Sequence, residues 1–139
     1  MTEARESGTE QAPASDLSVA AEVREVSGRP CTVVTLAGRA DEAVRDRLRA
    51  ELRSYTHWGP IIVLIDLSAV PAIDVAPLRE LVRVRSLMDG RGGVVGLISP
   101  QPDVQEFLEI CGVDQLIPVY PSVAAAMTGT EAWFTALPD

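Results

Sequence analysis

The stretch 61–78 constrains the fold of this chain more than any other. Its first five residues, 61–65, are all apolar, which is typical of a strand buried on both faces of a sheet. Pro71 then breaks the chain, and Asp74 followed by Pro77 is typical of a helix N-terminus. A buried strand, a loop and a helix in this order predict an α/β fold. In such folds partners and ligands bind beyond the carboxyl ends of the strands.

Length and charge narrow the range of partners. A chain of 139 residues, 47% of them hydrophobic, can bury one core without disulfides or metal. Its formal net charge of -8 argues against nucleic acid and anionic membranes as main partners, because both attract basic surfaces. A protein partner with a basic contact surface fits better, although the same charge also serves solubility. The sequence shows no signal peptide or membrane-spanning stretch, so we expect a cytoplasmic protein with reduced cysteines.

Turn residues and apolar spacing divide the chain into alternating strands and helices. The segment 27–30, Ser-Gly-Arg-Pro, predicts the turn of a hairpin, and apolar residues every three or four positions predict helices beyond it. Pro118 predicts that the last strand lies at a sheet edge or carries a bulge. The predicted strands are 17–26, 31–37, 61–65, 94–99 and 116–120, and the predicted helices begin near Asp41, Asp74, Pro102 and Ser122, the last ending at Met127.

These elements predict an α/β fold with a mixed sheet of four to five strands. The N-terminal hairpin is antiparallel, the remaining strands are mostly parallel, and about four helices complete the order ββαβαβαβα. Right-handed crossovers place the loops after Gly38, Asp66 and Ser99 at one end of the sheet. The predicted division is a disordered acidic tail at 1–16, one folded domain at 17–128 and a C-terminal tail at 129–139 that holds Trp133 and Phe134.

The sequence offers little for catalysis. One histidine and two separated cysteines do not form a metal site, so neither a metal nor a cofactor is predicted. His57 has no nucleophile fixed near it, and Cys111 ends an apolar run, which favours a small buried residue. A small enzyme using Asp66 or Asp74 is the least favoured alternative, because no base, nucleophile and orienting group converge. We therefore predict no catalytic residue.

Several joints between these elements carry a family resemblance. The segment Asp-Leu-Ser-Ala-Val at 66–70, where the central strand ends, is similar to the corresponding segment of the STAS domain. The turn at 38–41 also resembles that family, because it keeps the first Gly and the last Asp of a Gly-Glu-Leu-Asp pattern. The pairs at 92–93 and 99–100 and the segment 111–120 fall where that family places similar residues. The resemblance covers about 18–128 and implies the fold of the bacterial anti-sigma factor antagonists.

The start of the second helix departs from that family. Its antagonists typically read Asp-Ser-Ser-Gly-Leu there, and a partner kinase phosphorylates the first Ser, whereas this chain reads Asp-Val-Ala-Pro-Leu at 74–78. Val75 has no hydroxyl to accept phosphate. The resemblance implies a non-enzymatic module that binds a serine-kinase-type anti-sigma factor, without that switch. The partner-binding residues it implies are Arg39, Asp41, Asp74, Val75, Ala76 and Pro77.

Three alternatives stay open at this point. Asp41 and Asp74 are common cap residues, so both could serve only to cap helices while Val75 only packs. The chain could instead be a scaffold or subunit of a multi-protein stress-sensing or transport complex of the same fold. Finally, Ser68 or Ser99 could carry phosphate, since both lie at the predicted functional end of the sheet. Val75 and Pro77 together predict a small, rigid, uncharged knob on the surface.

Overall fold

The structure is a computed structural model that describes residues 17–26, 28–57 and 62–136. The side chains of Val26 and of residues 131–136 are not part of that description. The predicted acidic tail, Trp58, the start of the predicted strand at Ile61 and the side chains of the tail aromatics therefore lie outside the described residues.

The elements follow the predicted order ββαβαβαβα. Two 3₁₀ turns, Glu42–Val44 and Val113–Gln115, stand before α1 and before β5. The strands are β1 (Ser18–Val26), β2 (Arg29–Ala37), β3 (Ile62–Ala69), β4 (Val94–Ile98) and β5 (Val119–Tyr120), and the helices are α1 (Arg45–Thr56), α2 (Val75–Asp89), α3 (Pro102–Ile110) and α4 (Val123–Ala136).

The five strands form one mixed sheet in the order β1-β2-β3-β4-β5. β1 is antiparallel to β2, and every other neighbouring pair is parallel. The carboxyl ends of β2, β3 and β4 consequently meet at one end of the sheet, as predicted. β5 lies at an edge and keeps only two of the five predicted residues, because Pro118 has no N–H to donate and the paired strand starts after it.

Apolar side chains cover both faces of the central strands, which confirms the buried strand that the run 61–65 predicted. α1, α2 and α3 pack on one face around a core that includes Leu48, Ile65, Leu81 and Leu108. α4 packs on the other face, where Ala126 belongs to a smaller cluster. None of the described helices is long and apolar enough to cross a membrane.

The prediction that the last helix ends at Met127 is wrong. α4 continues through Gly129 to Ala136. A Cβ at position 129 would meet the Tyr120 ring at 2.6 Å, and one at Gly96 would meet the same ring at 2.9 Å. Tyr120 is therefore held between the sheet and α4. Gly129 leaves room for this ring against the helix and does not end the helix. A glycine at an interior helical position lowers helix stability by about 1 kcal/mol relative to alanine.

Candidate functional site

Three backbone hydrogen bonds join the loop after β2 to the segment before α2. Gly38 N donates to Ala69 O at 2.9 Å, and Ala40 N donates to Ala72 O at 3.0 Å. Asp74 N donates in return to Ala40 O at 2.8 Å. The parallel pairing of β2 and β3 thus continues past the strand ends. The two segments that the sequence singled out, 38–41 and 74–77, are neighbours in space.

Buried apolar residues support this junction from below. Ala40 and Val70 are 0% exposed, and Ile73, which bridges to Ala40, is 7% exposed. All three belong to the main core. The junction is therefore anchored, and the side chains that it exposes are held in place before any partner arrives. We call the exposed or partly exposed residues Arg39, Asp41, Asp74, Val75 and Ala76 the α2-start surface.

Asp41 and Asp74 occupy the predicted cap positions without capping. Each precedes its helical turn in an extended conformation, yet neither carboxylate accepts a hydrogen bond from the turn that follows. Asp41 Oδ1 is buried and has no hydrogen-bond partner. Asp74 is exposed, and its side chain makes no hydrogen bond or ion pair with the described residues. The Asp74 carboxylate is therefore left with acceptor capacity on the α2-start surface, whereas the unpaired oxygen of Asp41 lies beneath that surface.

The first turn of α2 presents Val75 and hides Pro77. Val75 is 47% exposed, Ala76 is partly exposed, and Pro77 is buried. The predicted knob of Val75 and Pro77 is therefore wrong in its second member. Pro77 is buried, and its fixed φ and missing N–H are tolerated because it lies in the first helical turn. Among the predicted contact residues, Pro77 supports the surface from inside.

A shallow apolar groove of about 290 Å³ begins at Val75. Arg79 and Val82 follow Val75 at intervals of four and three along α2, so the three share one side of the helix. Arg79 is exposed and makes no ion pair with the described residues. The opposite wall is the turn between α3 and β5, including Leu116, which is 42% exposed. The helical spacing could have revealed one wall from sequence, but nothing in the sequence brings the second wall to it.

Cys111 also lines this groove, and it is exposed. The prediction of a small buried residue is wrong, because α3 ends one residue earlier and Cys111 begins the surface turn that Gly112 continues at φ 75°. Cys31 is the buried thiol, with 0% exposure. Burial raises the pKa of the Cys31 thiol to about 11.

Asp66 and the two candidate serines lie at the same end of the sheet, and Asp66 and Ser68 make hydrogen bonds there. Asp66 Oδ1 accepts a hydrogen bond from Ser68 N at 2.9 Å, and Gln101 Nε2 donates to Ser68 O at 2.9 Å. Ser99 adopts φ 54°, a left-handed conformation, just before Pro100. These contacts give Asp66 a turn-forming role. Ser68 is exposed to solvent, whereas Ser99 is half-buried.

A buried carboxylate that the sequence analysis missed fixes α2 to α1. Glu80 is 2% exposed and accepts two hydrogen bonds at 3.0 Å from Arg49 on α1. Arg83, one turn further along α2, lies 3.3 Å from the same carboxylate. The Arg49 hydrogen bonds hold the pKa of Glu80 below its ordinary value, against the opposing effect of burial. A bidentate pair of this kind fixes the orientation of both helices.

The fold and these joints define the class of protein. A sequence model of the STAS domain matches residues 20–126. The chain therefore belongs to the STAS domain family.

Individual relatives agree with this assignment. The chain is 32% identical over 106 residues to BtrV of Bordetella bronchiseptica, a proposed anti-sigma factor antagonist, covering 76% of this chain and 89% of BtrV. An anti-sigma factor antagonist from Mycobacterium paratuberculosis has a similar structure, with a TM-score of 0.69 and 24% identity. The match covers 81% of this chain and 93% of that one. For an anti-sigma-factor antagonist (STAS) domain protein from Planctomyces limnophilus the TM-score is 0.67 and the identity 22%, and the match covers 78% of this chain and 96% of that one. These structural matches show the shared fold.

Proposed function

We propose that this chain is a non-enzymatic antagonist that binds a serine-kinase-type anti-sigma factor through the α2-start surface. One observation supports the proposal: the backbone junction joins the two segments into one anchored surface that exposes Val75 beside the unpaired carboxylate of Asp74, with the partly exposed Asp41 next to them. Carboxylates already used as caps would favour the structural alternative, and these are not. The relative BtrV is named as a proposed anti-sigma factor antagonist, which supports an anti-sigma factor as the class of partner.

The chemistry of the surface favours a partner with an apolar contact and basic groups. Val75 supplies a side chain that needs no hydrogen bond, while the exposed Asp74 and the accessible part of Asp41 accept hydrogen bonds from cationic or N–H donors. The net charge of -8 would raise the association rate with a basic surface. Binding in this form requires no cofactor.

The absence of a hydroxyl at position 75 makes the interaction constitutive in this proposal. Phosphate at that position would add nearly two negative charges next to Asp74 and against the partner. Val75 cannot accept phosphate, so the partner kinase has no means of releasing this chain there. The surface would then stay available for binding whether or not the kinase is active.

The test measures affinity for, and phosphate transfer from, each serine-kinase-type anti-sigma factor of the source cell. The native chain is compared with Val75→Ser and with Leu87→Ser, a matched control at the other end of α2 whose original side chain is 45% exposed against 47% for Val75. We expect the native chain and Leu87→Ser to bind and to take no phosphate. Val75→Ser should bind, take phosphate and then dissociate.

The outcomes separate the two parts of the proposal. If the native chain binds but is phosphorylated, for example at Ser68, the constitutive part is wrong and the partner class stands. If neither the native chain nor Val75→Ser binds any of these factors, the partner class is wrong.

A further inference from the structure

One long strand is exposed on both sides of the sheet. Six consecutive residues of β1, from Ala20 to Glu25, are exposed, and Val23 reaches 72% exposure. At the beginning of β1, Val19 packs against the main core, which also includes Leu17 just before the strand, and α4 approaches the strand from the other face of the sheet. The residues from Ala20 to Glu25 nevertheless remain exposed to solvent.

The same strand forms an edge of the sheet. Across the described residues, β1 pairs only with β2, through nine residue pairs that run from Ser18–Ala37 to Val26–Arg29. A nine-residue edge strand presents N–H and C=O groups that point away from the sheet and can pair with another strand. β5, at the other edge, has only two residues. β1 is thus the edge with room for a partner strand.

The side chains of β1 are complementary to a second copy of themselves. Two β1 strands related by a twofold axis through the sheet at Val23 would run antiparallel and keep matching faces on the same side. That register places Val23 opposite Val23 of the second copy and Glu22 opposite its Arg24, twice by symmetry. Shifting the axis by one residue, to Glu22 or Arg24, would place like charges directly opposite each other, which disfavours pairing.

We propose that β1 is a self-association edge, at which two copies of this chain pair antiparallel around Val23. Within one chain Arg24 Nε already lies 3.2 Å from Glu22 Oε2, and both side chains are largely exposed at 44% and 63%. Pairing converts this solvated contact into a cluster of four alternating charges on one face of a continuous sheet. Val23 contacts its symmetry mate on the other face.

The position of this edge leaves the α2-start surface accessible. Val23 pairs with Thr32, and Thr32 pairs with Val63, at the amino-terminal ends of the parallel strands. The α2-start surface lies beyond their carboxyl ends. The paired form is therefore bivalent, with one α2-start surface on each copy. An edge contact buries less than a standard interface of roughly 1,600 Å², so the association is weak and in fast exchange.

Charge reversal across the proposed axis provides the test. Sedimentation velocity over a concentration series into the millimolar range compares the native full-length chain with Glu22→Arg, Arg24→Glu and the double swap. Each single substitution turns both symmetric pairs into like-charge pairs, and we expect the dimer dissociation constant to rise about tenfold. The double swap restores opposite charges in the same register and should restore the dimer.

A matched control is available on α1. Arg45 forms an exposed pair with Asp46, and its side chain is 44% exposed, like that of Arg24. Arg45→Glu should leave the dissociation constant unchanged, and a thermal melt confirms that every variant is folded. A native chain that stays monomeric into the millimolar range overturns the proposal. If the single reversals leave the dimer dissociation constant unchanged, or if the double swap does not restore the dimer, the contact lies elsewhere and the proposal is also overturned.

Discussion

Carboxylates lie in two regions around helix α2, its middle and its start, and the fold treats the two regions in opposite ways. In its middle, Glu80 is 2% exposed and contacts two guanidinium groups, those of Arg49 and Arg83. At its start, Asp74 is exposed and Asp41 has a buried oxygen, and neither side chain bonds any described residue. In the middle of α2 the charge of Glu80 is paired within the molecule, and at the start of α2 the charge of the exposed Asp74 stays available for a partner.

The difference separates structural charge from recognition charge. A buried carboxylate that is fully paired fixes helix orientation, and removing it leaves its partners without a counter-charge. An exposed carboxylate without a partner, such as Asp74, contributes little to folding and loses little when it binds elsewhere, whereas the buried unpaired oxygen of Asp41 costs stability. The middle of α2 therefore positions the helix, and its start is free to bind. The predictions below test this division.

The largest expected effect is on stability, at Glu80. Glu80→Gln keeps the shape but removes the charge that Arg49 and Arg83 contact, so we expect the free energy of unfolding to fall by about 2 kcal/mol. Urea denaturation measures it. Glu106→Gln on the exposed side of α3 is the control and should change the free energy of unfolding by less than about 0.5 kcal/mol. An equal loss in both variants would show that the Glu80 contacts carry no special weight.

The next effect concerns binding, at the start of α2. Replacing Asp41 and Asp74 together by Ala removes both unused carboxylates, and we expect the affinity for the proposed partner to fall about tenfold. Stability should not fall by the roughly 2 kcal/mol expected for the loss of two working caps, because neither carboxylate accepts a capping hydrogen bond and the Asp41 substitution removes a buried, unpaired oxygen.

Calorimetric titration and urea denaturation of the same double variant check this result. Asp103→Ala combined with Glu106→Ala, at two exposed positions of α3, removes the same number of charges and should leave the affinity unchanged. Full affinity combined with lost stability would return both residues to a capping role.

The order of elements could be predicted from sequence because local signals carried it. Apolar runs, turn residues and helical spacing act over a few residues, and they gave the order ββαβαβαβα that the structure has. The helix end at Gly129 could not be predicted, because the reason for that glycine is Tyr120, which lies on the sheet. A residue that accommodates a distant ring looks locally like a helix breaker.

The candidate site divides in the same way. The cap positions of Asp41 and Asp74 follow from local sequence, and the structure confirms those positions. That their carboxylates remain unused depends on the path of the loop, which no local pattern encodes. Glu80 shows the same limit, because its partner Arg49 lies 31 positions earlier in the chain and reaches it only when α1 and α2 pack together.

A smaller effect is expected in the pH dependence of stability. The Arg49 hydrogen bonds lower the pKa of Glu80 in the folded state, so the unfolded chain binds a proton on this group more readily. The stabilising contribution is present above the ordinary glutamate value of 4.5 and is lost as pH falls through the lower folded value.

Urea denaturation between pH 6 and 3 compares the native chain with Glu80→Gln, which cannot titrate. The stability difference between the two should shrink toward the acid end. A difference that stays constant over this range would show that folding does not change the protonation of Glu80.

The smallest effect is expected at Cys111, on the groove that extends from Val75. Its exposed thiol should react with a thiol reagent in the folded chain, while Cys31, buried and with its pKa raised to about 11, should react only after unfolding. Carboxamidomethylation then adds bulk to one wall of the groove. Cys111 lines the same groove as Val75, whereas Asp41 and Asp74 lie outside its lining, so we expect the label to weaken partner binding by about threefold, less than the loss of Asp41 and Asp74. Cys111→Ser treated in the same way is the control. Unchanged affinity after labelling would confine partner binding to the α2-start surface, and a loss above tenfold would make the groove the main contact.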